Sequence, residues 1–261
     1  MIDADYIRGW TAPDAHDYVE QHHTRLVKTL ELTPLGDASK AVLEMGAYMQ
    51  ITPALHFKLG YGTVRGCYYG KLGVVDHKAI DSVAGEHFEC AIDHFDAEKD
   101  IFPYADASFD TVLCGELLEH LFSDPMHMMF EINRILKPNG HLVLTTPNIG
   151  SLRGLAAVLQ GYHPGFFPAY SYPRDKDEDA APRHNREYMP MEIQHLFTDA
   201  GLETQLITTG EFADVPHPEY GWVQHLLERY QLPRDLRGDG IYAVGRKASP
   251  PKTRWPEWLY Q

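Results

Sequence analysis

Apolar and polar positions follow two different periods along this chain, and each change of period marks an element. Over residues 14–32, Tyr18, Val19, Leu26, Val27 and Leu30 recur at intervals that one side of a helix gathers, among charged residues. Thr33-Pro34-Leu35-Gly36-Asp37 breaks that pattern, and 41–46 reads as a short buried strand ending in a glycine turn. A helix is predicted over 51–59, strands over 63–69, 88–94 and 109–114, and a helical stretch over 116–121 directly after the last. Asp124-Pro125 then opens a helix, with an acid at the cap and proline in the first turn, where its missing N–H does no harm. Met128, Met129, Ile132, Ile135 and Leu136 continue it until Lys137-Pro138-Asn139-Gly140, and 141–146 is another apolar strand. Strands alternating with helices through short turns predict an α/β fold. Its sheet is mostly parallel and covered by helices on both faces.

After Asn148 the regularity fails. Residues 149–189 hold a short helical stretch, then Tyr162, Phe166, Phe167, Tyr170 and Tyr172 among prolines and glycines, then a run of mixed charge. An insertion this long is expected to be a lid or a substrate-binding segment. Its aromatics suit a wall against a sugar or planar ring, or a small core that anchors the loop. Residues 191–200 resume as a helix ended by Gly201, 204–208 is a strand, 211–238 a second insertion, 241–245 a last strand and 248–261 an aromatic tail rich in proline. With 1–36 as a helical lead-in, 1–261 reads as one domain without internal repeats.

Composition narrows the function. The chain carries 23 basic and 37 acidic side chains, a formal charge of −14, and is 44% hydrophobic. That is a packed globular protein, and its acidity excludes a broad grip on bare nucleic acid, which needs Lys and Arg against phosphates. Cys67, Cys90 and Cys114 are widely spaced and an odd number, as expected of a reducing compartment. The N-terminal residues form no secretory signal. The uncharged stretch 154–173 is interrupted by three prolines, so no membrane span is expected and the location is read as cytoplasmic. Nothing in the sequence specifies an oligomeric state.

Three segments occur in one order: VLEMGAYMQITPAL at 42–55, FDAEKDIFPYADASFDTVLCGELLEHL at 95–121 and EINRILKPNGHLVLTTPN at 131–148. Together they resemble a class I S-adenosylmethionine-dependent methyltransferase, of the type 11 and type 23 groups. The resemblance implies a Rossmann-like sheet with one antiparallel strand near its end, a lid-like insertion, and ligand binding at the carboxyl edge of the strands. It implies that Glu44 anchors the methionine end of the cofactor, that Gly46 lets the backbone approach it, and that Asp96 and Ala97 hold the adenine edge, with Gly115 lining the cleft. Asp110 is read as structural.

Two positions depart from the family pattern of an acid followed by three alternating glycines. Tyr48 and Gln50 replace the second and third glycines, and a bulky Tyr48 takes φ > 0 poorly. Tyr48 is therefore expected to flank the cofactor or the substrate mouth, or to turn into the protein. At the end of the second strand, where the family carries an acid for the ribose hydroxyls, the chain has Tyr68, a poorer acceptor. Asp76 substitutes for it only if the intervening residues turn back.

Glu116, Glu119 and His120 stand at i, i+3 and i+4, which a helix would put on one face. Three readings stand side by side. His120 is a general base for a hydroxyl, with Glu116 beside it. Alternatively the arrangement, similar to metal-binding segments of some quinone and small-RNA O-methyltransferases, holds a divalent ion with a further ligand from His163 or His184. The third reading is a structural network. His184 and Arg186 lie in a segment that returns the insertion toward the site mouth, or in a solvated turn.

The resemblance implies methyl transfer from S-adenosylmethionine to a small-molecule or glycan hydroxyl, giving S-adenosylhomocysteine, without a required metal. The second expectation is a catalytically silent methyltransferase-like binding protein, motivated by Tyr48, Gln50 and Tyr68. No GxGxxG follows the first strand, which disfavours a nicotinamide dehydrogenase.

Overall fold

The computed structural model describes residues 2–12, 15–166, 183–211 and 218–261. Phe167, Tyr170 and Tyr172, with most of the charged run of the insertion, lie outside the described residues.

The strands are β1 (Ala41–Met45), β2 (Thr63–Tyr68), β3 (Val75–Asp81), β4 (His87–His94), β5 (Phe109–Gly115), β6 (Leu136–Pro147), β7 (Leu202–Gly210) and β8 (Gly240–Lys247). They form one sheet in the order β3-β4-β2-β1-β5-β6-β8-β7. β4, β2, β1, β5 and β6 run parallel, and β8 is antiparallel to β6 and β7. The α-helices are α1 (Ala4–Arg8), α2 (His16–Leu32), α3 (Thr52–Phe57), α4 (Pro125–Ile135), α5 (Leu152–Leu159), α6 (Pro190–Asp199) and α7 (Gly221–Arg229).

Alternation along the central strands sets the layers. Leu43, Met45, Val112, Cys114, Leu142 and Leu144 face one side, where they meet Met128, Met129 and Ile132 of α4 and Ile193, Leu196 and Phe197 of α6. Val42, Leu113 and Val143 face the other, against Val19, Leu26 and Leu30 of α2 and Leu55 of α3. Strands buried on both faces are continuous apolar runs, which is why the sequence reveals them. Asp124 caps α4 by accepting from His127 N–H at 3.1 Å, and Gly201 ends α6 with φ +76, both as predicted.

Three features differ from the sequence expectation. A second antiparallel strand, β3, forms a hairpin with β4, so the β2-to-β4 crossover is a strand instead of a helix. Its run VDHKAID is almost wholly exposed and polar, the pattern of a charged sheet edge that resists further pairing. The side of β4 left without a helix is covered by Trp10, which packs with Ala47, Met49, Phe88 and Ile92. Second, 116–121 is not an α-helix: the chain leaves β5 with Glu116 at φ +49 and makes only a 3-10 turn, Leu118–His120. Third, the tail is docked. Trp258 Nε1 donates to Asp199 at 2.9 Å, and the Tyr260 hydroxyl to Asp124 at 2.6 Å.

All three cysteines are free and buried. Among the described residues no helix is long and apolar enough to cross a membrane.

Candidate functional site

Register places the carboxyl edge. Met45 stands beside Cys67 and Cys114, Tyr68 beside His94, and Gly115 beside Thr145. Gly46, Tyr68, His94, Gly115 and Thr145 therefore lie at one level, where parallel strands hand over to turns. That level is where open α/β sheets bind ligands.

At β1, Glu44 is on the α2 and α3 side, only 6% exposed, and its Oε2 has no hydrogen-bond partner. Burial pushes its carboxyl up to about 7, opposed by the neighbouring Thr52 hydroxyl, though that hydroxyl and Oε2 both remain without a hydrogen bond. A buried carboxylate left in this way is costly unless a cation or donor meets it. Gly46 follows at φ +72, with nothing within 4 Å of where a Cβ would stand. The turn thus presents bare backbone to open space beside an unpaired acid.

The two departures from the family pattern meet. The Tyr48 and Tyr68 hydroxyls hydrogen-bond at 2.7 Å, and their rings pack edge to face with centroids 5.1 Å apart. Burial first, then this bond, raises the Tyr48 pKa. Tyr48 itself needs no positive φ: the left-handed positions of the turn are Gly46 and Met49, the latter at φ +71. Asp76 lies on β3, with β4 between it and Tyr68, and its carboxylate pairs with His94 Nε2 at 2.8 Å.

After β4, Asp96 is tied within its own turn: Oδ1 accepts from Glu98 N–H at 2.9 Å, and Oδ2 pairs with Lys99 at 3.0 Å. Ala97 next to it packs against the main core. Asp110, at the other end of the sheet, accepts from Ala41 N–H at 2.8 Å and Lys137 at 2.7 Å, a structural clasp between β1, β5 and β6.

Beyond β5 lies a second group of polar side chains. Glu119 is fully buried; its Oε2 accepts from the Thr146 hydroxyl at 2.9 Å while Oε1 has no partner. Burial first, then the charge of Glu116, holds its carboxyl well above the usual range. His120 Nδ1 is 2.8 Å from the Arg183 carbonyl, so that nitrogen donates and Nε2 carries the lone pair, 3.9 Å from Glu119 Oε1. Burial lowers the His120 pKa against that bond. The His184 ring lies 5.1 Å from the His120 ring, and His184 Nδ1 is 2.7 Å from Glu187. The predicted common helix face is absent, yet Glu119 and His120 still converge. The partner brought to them is His184. His163 instead accepts from Gly165 N–H at 3.0 Å. Arg186 pairs with Glu192 on α6.

The sequence reading missed the roof of this group. Arg25 of α2 is buried with Nε unpartnered, donates to the Tyr18 hydroxyl at 2.8 Å, and places Nη1 4.0 Å from Glu116 Oε1. Tyr242 of β8 is buried with its hydroxyl unpartnered, as are Glu116 Oε1 and Thr145 Oγ1. The signal was available: Tyr18, His22, Arg25 and Thr29 form a polar stripe at helical spacing beside the apolar one.

The crevice can therefore hold a ligand with a cationic end at Glu44, near a second group of unsatisfied polar atoms suited to a polar acceptor. Residues 72–144 match a family model described as a methyltransferase domain. The match begins after Tyr68, so it covers Asp96 to His120 but neither the β1 turn nor Tyr68. Among solved structures, the chain is similar to one from the complex of the Haloferax volcanii Trm112 methyltransferase activator with a methyltransferase, at 16% identity, TM-score 0.55, covering 95% of this chain and 100% of that one. It is similar to a SAM-dependent methyltransferase from Archaeoglobus fulgidus at 14% identity and TM-score 0.51, over 88% and 94% of the two chains. A SAM-dependent methyltransferase from Thermotoga maritima matches at 17% identity and TM-score 0.50, over 90% and 95%.

Proposed function

We propose that this chain is a class I S-adenosylmethionine-dependent methyltransferase that methylates a hydroxyl of a small molecule or glycan. The observation that carries the reading is the pairing of an unsatisfied, buried Glu44 carboxylate with the open backbone at Gly46. S-adenosylmethionine, when bound, supplies an electrophilic methyl group and a cationic ammonium end. Glu44 fits that ammonium, and Gly46 lets the main chain lie against the ligand without a side chain between them. Tyr48 and Tyr68 offer a hydroxyl pair where the ribose is expected, and Asp96 with Ala97 and Gly115 line the remaining edge.

The acceptor side falls to the turn after β5. Methyl transfer needs the acceptor oxygen in line and its proton removed, which positioned groups achieve more than any covalent chemistry by the protein. His120 is held neutral, with its Nε2 lone pair toward the polar group, and Glu116 adds an acid beside it. Arg25 and Tyr242, both buried, flank this group.

Calorimetry with S-adenosylmethionine and S-adenosylhomocysteine, followed by labelled-methyl transfer to a panel of hydroxyl-bearing acceptors, tests this. Micromolar binding of both ligands and label in an ether product are expected. The Tyr48–Tyr68 bridge, lying where the family has a glycine and an acid, favours the alternative of a silent binding protein. Failure of both ligands to bind selects it.

A further inference from the structure

We infer that Arg25, with the Tyr242 and Thr145 hydroxyls, holds a carboxylate of the acceptor, so that the molecule methylated is a hydroxy acid whose hydroxyl lies at Glu116. The fate of that hydroxyl rests on the methyltransferase reading; the carboxylate subsite stands on the residues alone.

Four elements meet at these atoms. Thr145 of β6, two residues beyond Val143, is on the α2 side of the sheet, and Tyr242 of β8 stands opposite it in register. Lys28 of α2 lies over the Tyr242 ring, 4.3 Å from its centroid. Arg25, one helical turn earlier, reaches Glu116 at the end of β5, with Nη1 4.0 Å from Oε1. Burial chiefly, then the charge of Glu116, raises the Tyr242 pKa, against the charge of Arg25, so the three groups share one electrostatic neighbourhood. Gly115 leaves room beside them: a Cβ there would meet only the Thr145 hydroxyl within 4 Å, at 3.4 Å.

Three donors in this group have no acceptor. Arg25 is only 6% exposed, yet its Nε–H is unpartnered; Nη2 donates to Tyr18 at 2.8 Å, and Nη1 is too far from Glu116 for a hydrogen bond. Tyr242 and Thr145 are buried, and neither hydroxyl has a partner. A buried guanidinium offsets its desolvation only through a close, hydrogen-bonded anion, and Glu116 at 4.0 Å is not one. An oxyanion set between Nε–H and the two hydroxyls is. Arg25 brings a single positive charge, already shared with Glu116, so a carboxylate suits the group and a phosphate dianion does not.

Glu116 Oε1 is the acceptor left over. A carboxylate on Arg25 and a hydroxyl on Glu116 are met by one small molecule that carries both on the same carbon or on neighbouring ones. In the transfer the acceptor oxygen forms the new O–CH3 bond as the S–CH3 bond breaks, and its proton passes to Glu116, which leaves a methoxy acid and S-adenosylhomocysteine. The carboxylate of the cofactor itself is a poorer occupant. Glu44, the ammonium anchor, is shifted by burial and opposed by Thr52, with no contribution from Arg25, whereas the charge of Arg25 does act on Glu119. The cofactor carries its carboxylate on the carbon that bears the ammonium, which keeps it on the Glu44 side.

Calorimetry of the full chain tests this, with and without S-adenosylhomocysteine, using three acids and their uncharged counterparts: lactate and lactamide, 2-hydroxybenzoate and 2-hydroxybenzamide, glucuronate and glucose. At least one acid should bind, one per chain and at least ~10-fold tighter than its counterpart, the worth of a hydrogen bond to a charged group. Arg25→Gln should abolish that preference, and Tyr242→Phe should weaken the acid ~2–10-fold, as for a neutral hydrogen bond. Both should leave S-adenosylhomocysteine affinity unchanged. Should Arg25→Gln unfold early in a thermal scan, Tyr242→Phe, which keeps the ring under Lys28, decides. Failure of all three acids to bind, equal binding of acid and counterpart, or a preference that survives the substitution overturns the subsite. Weakened S-adenosylhomocysteine binding in Arg25→Gln overturns it as well, by assigning the guanidinium to the cofactor's carboxylate. S-adenosylhomocysteine binding without acid binding leaves the methyltransferase reading standing and the subsite fallen; acid binding by a chain that does not take S-adenosylhomocysteine does the opposite.

Discussion

The two halves of the carboxyl edge are built in different ways. The half formed by β1, β2 and the turn after β4 draws its candidate groups, Glu44, Gly46, Tyr48, Tyr68 and Asp96, from the ends of adjacent strands. The half beyond β5 is assembled from the turn Leu118–His120, the return segment at 183–187, α2 and β8. In the first half the polar groups are few and Glu44 Oε2 has no partner; in the second, several unsatisfied atoms gather about the 116–120 turn. The first is a general cradle that the sheet makes almost unaided. The second exists only when distant segments pack.

Glu44→Gln should break the first half alone, with the largest effect. Losing a charged partner for an ammonium group costs up to about 3 kcal/mol, so S-adenosylhomocysteine affinity should fall ~100-fold. The same substitution has a pH signature. Glu44 titrates near 7 in the folded chain, above its ordinary 4.5, so the folded state holds this proton more tightly than the unfolded chain. That contribution is full below pH 4.5 and is lost as pH rises through 7, about 3 kcal/mol in all from a shift of this size. Denaturant unfolding of the ligand-free protein should show this decline, and Glu44→Gln should flatten it. A decline that persists in the variant would assign it to another group.

The same contrast governs what could be read from sequence. Glu44 and Gly46 were legible because a buried strand and its turn are contiguous, and Asp124 because a cap is local. β3 was not, because an exposed edge strand carries no apolar alternation. Glu116, Glu119 and His120 were picked out by helical spacing, and two of them do converge. The route differs, since Glu116 at φ +49 ends regular structure and a short turn takes over. His184 was one of two candidates that spacing could not separate; the hydrogen bonds of Asn185 separate them. Arg25 went unread because a polar residue on a core-facing helix resembles the snorkelling rim of its apolar stripe until its partner Glu116 is known.

Asn185→Ala should loosen the second half while sparing the first. It removes the bond from Nδ2 to the His120 carbonyl but keeps the backbone bond to the Glu119 carbonyl. Stability should drop by about 1 kcal/mol, the worth of one such bond. S-adenosylhomocysteine affinity should not move. A loss of affinity above ~3-fold would mean that the halves are coupled through the 116–120 turn, and the division drawn here would be wrong.

An effect of similar size concerns the tyrosine bridge, which ties the β1 turn to the end of β2. Tyr48 lies on the β1 turn and Tyr68 at the end of β2, so their 2.7 Å bond joins the two positions at which this chain departs from the glycine and acid of the pattern it resembles. If the bridge pre-shapes the cradle, removing either hydroxyl loses the same interaction. Tyr48→Phe, Tyr68→Phe and the double variant should then weaken S-adenosylhomocysteine by similar amounts, about 0.5–1.5 kcal/mol or ~2–10-fold, with the double variant no worse than the worse single. Additive losses would instead show each phenol meeting the ligand independently. Tighter binding in Tyr48→Phe would identify the bridge as an obstruction that the ligand must open, and would move the chain toward the silent reading. The two single variants place the hydroxyl loss on different elements but keep both rings, so packing between them, edge to face at 5.1 Å, is held constant throughout the cycle.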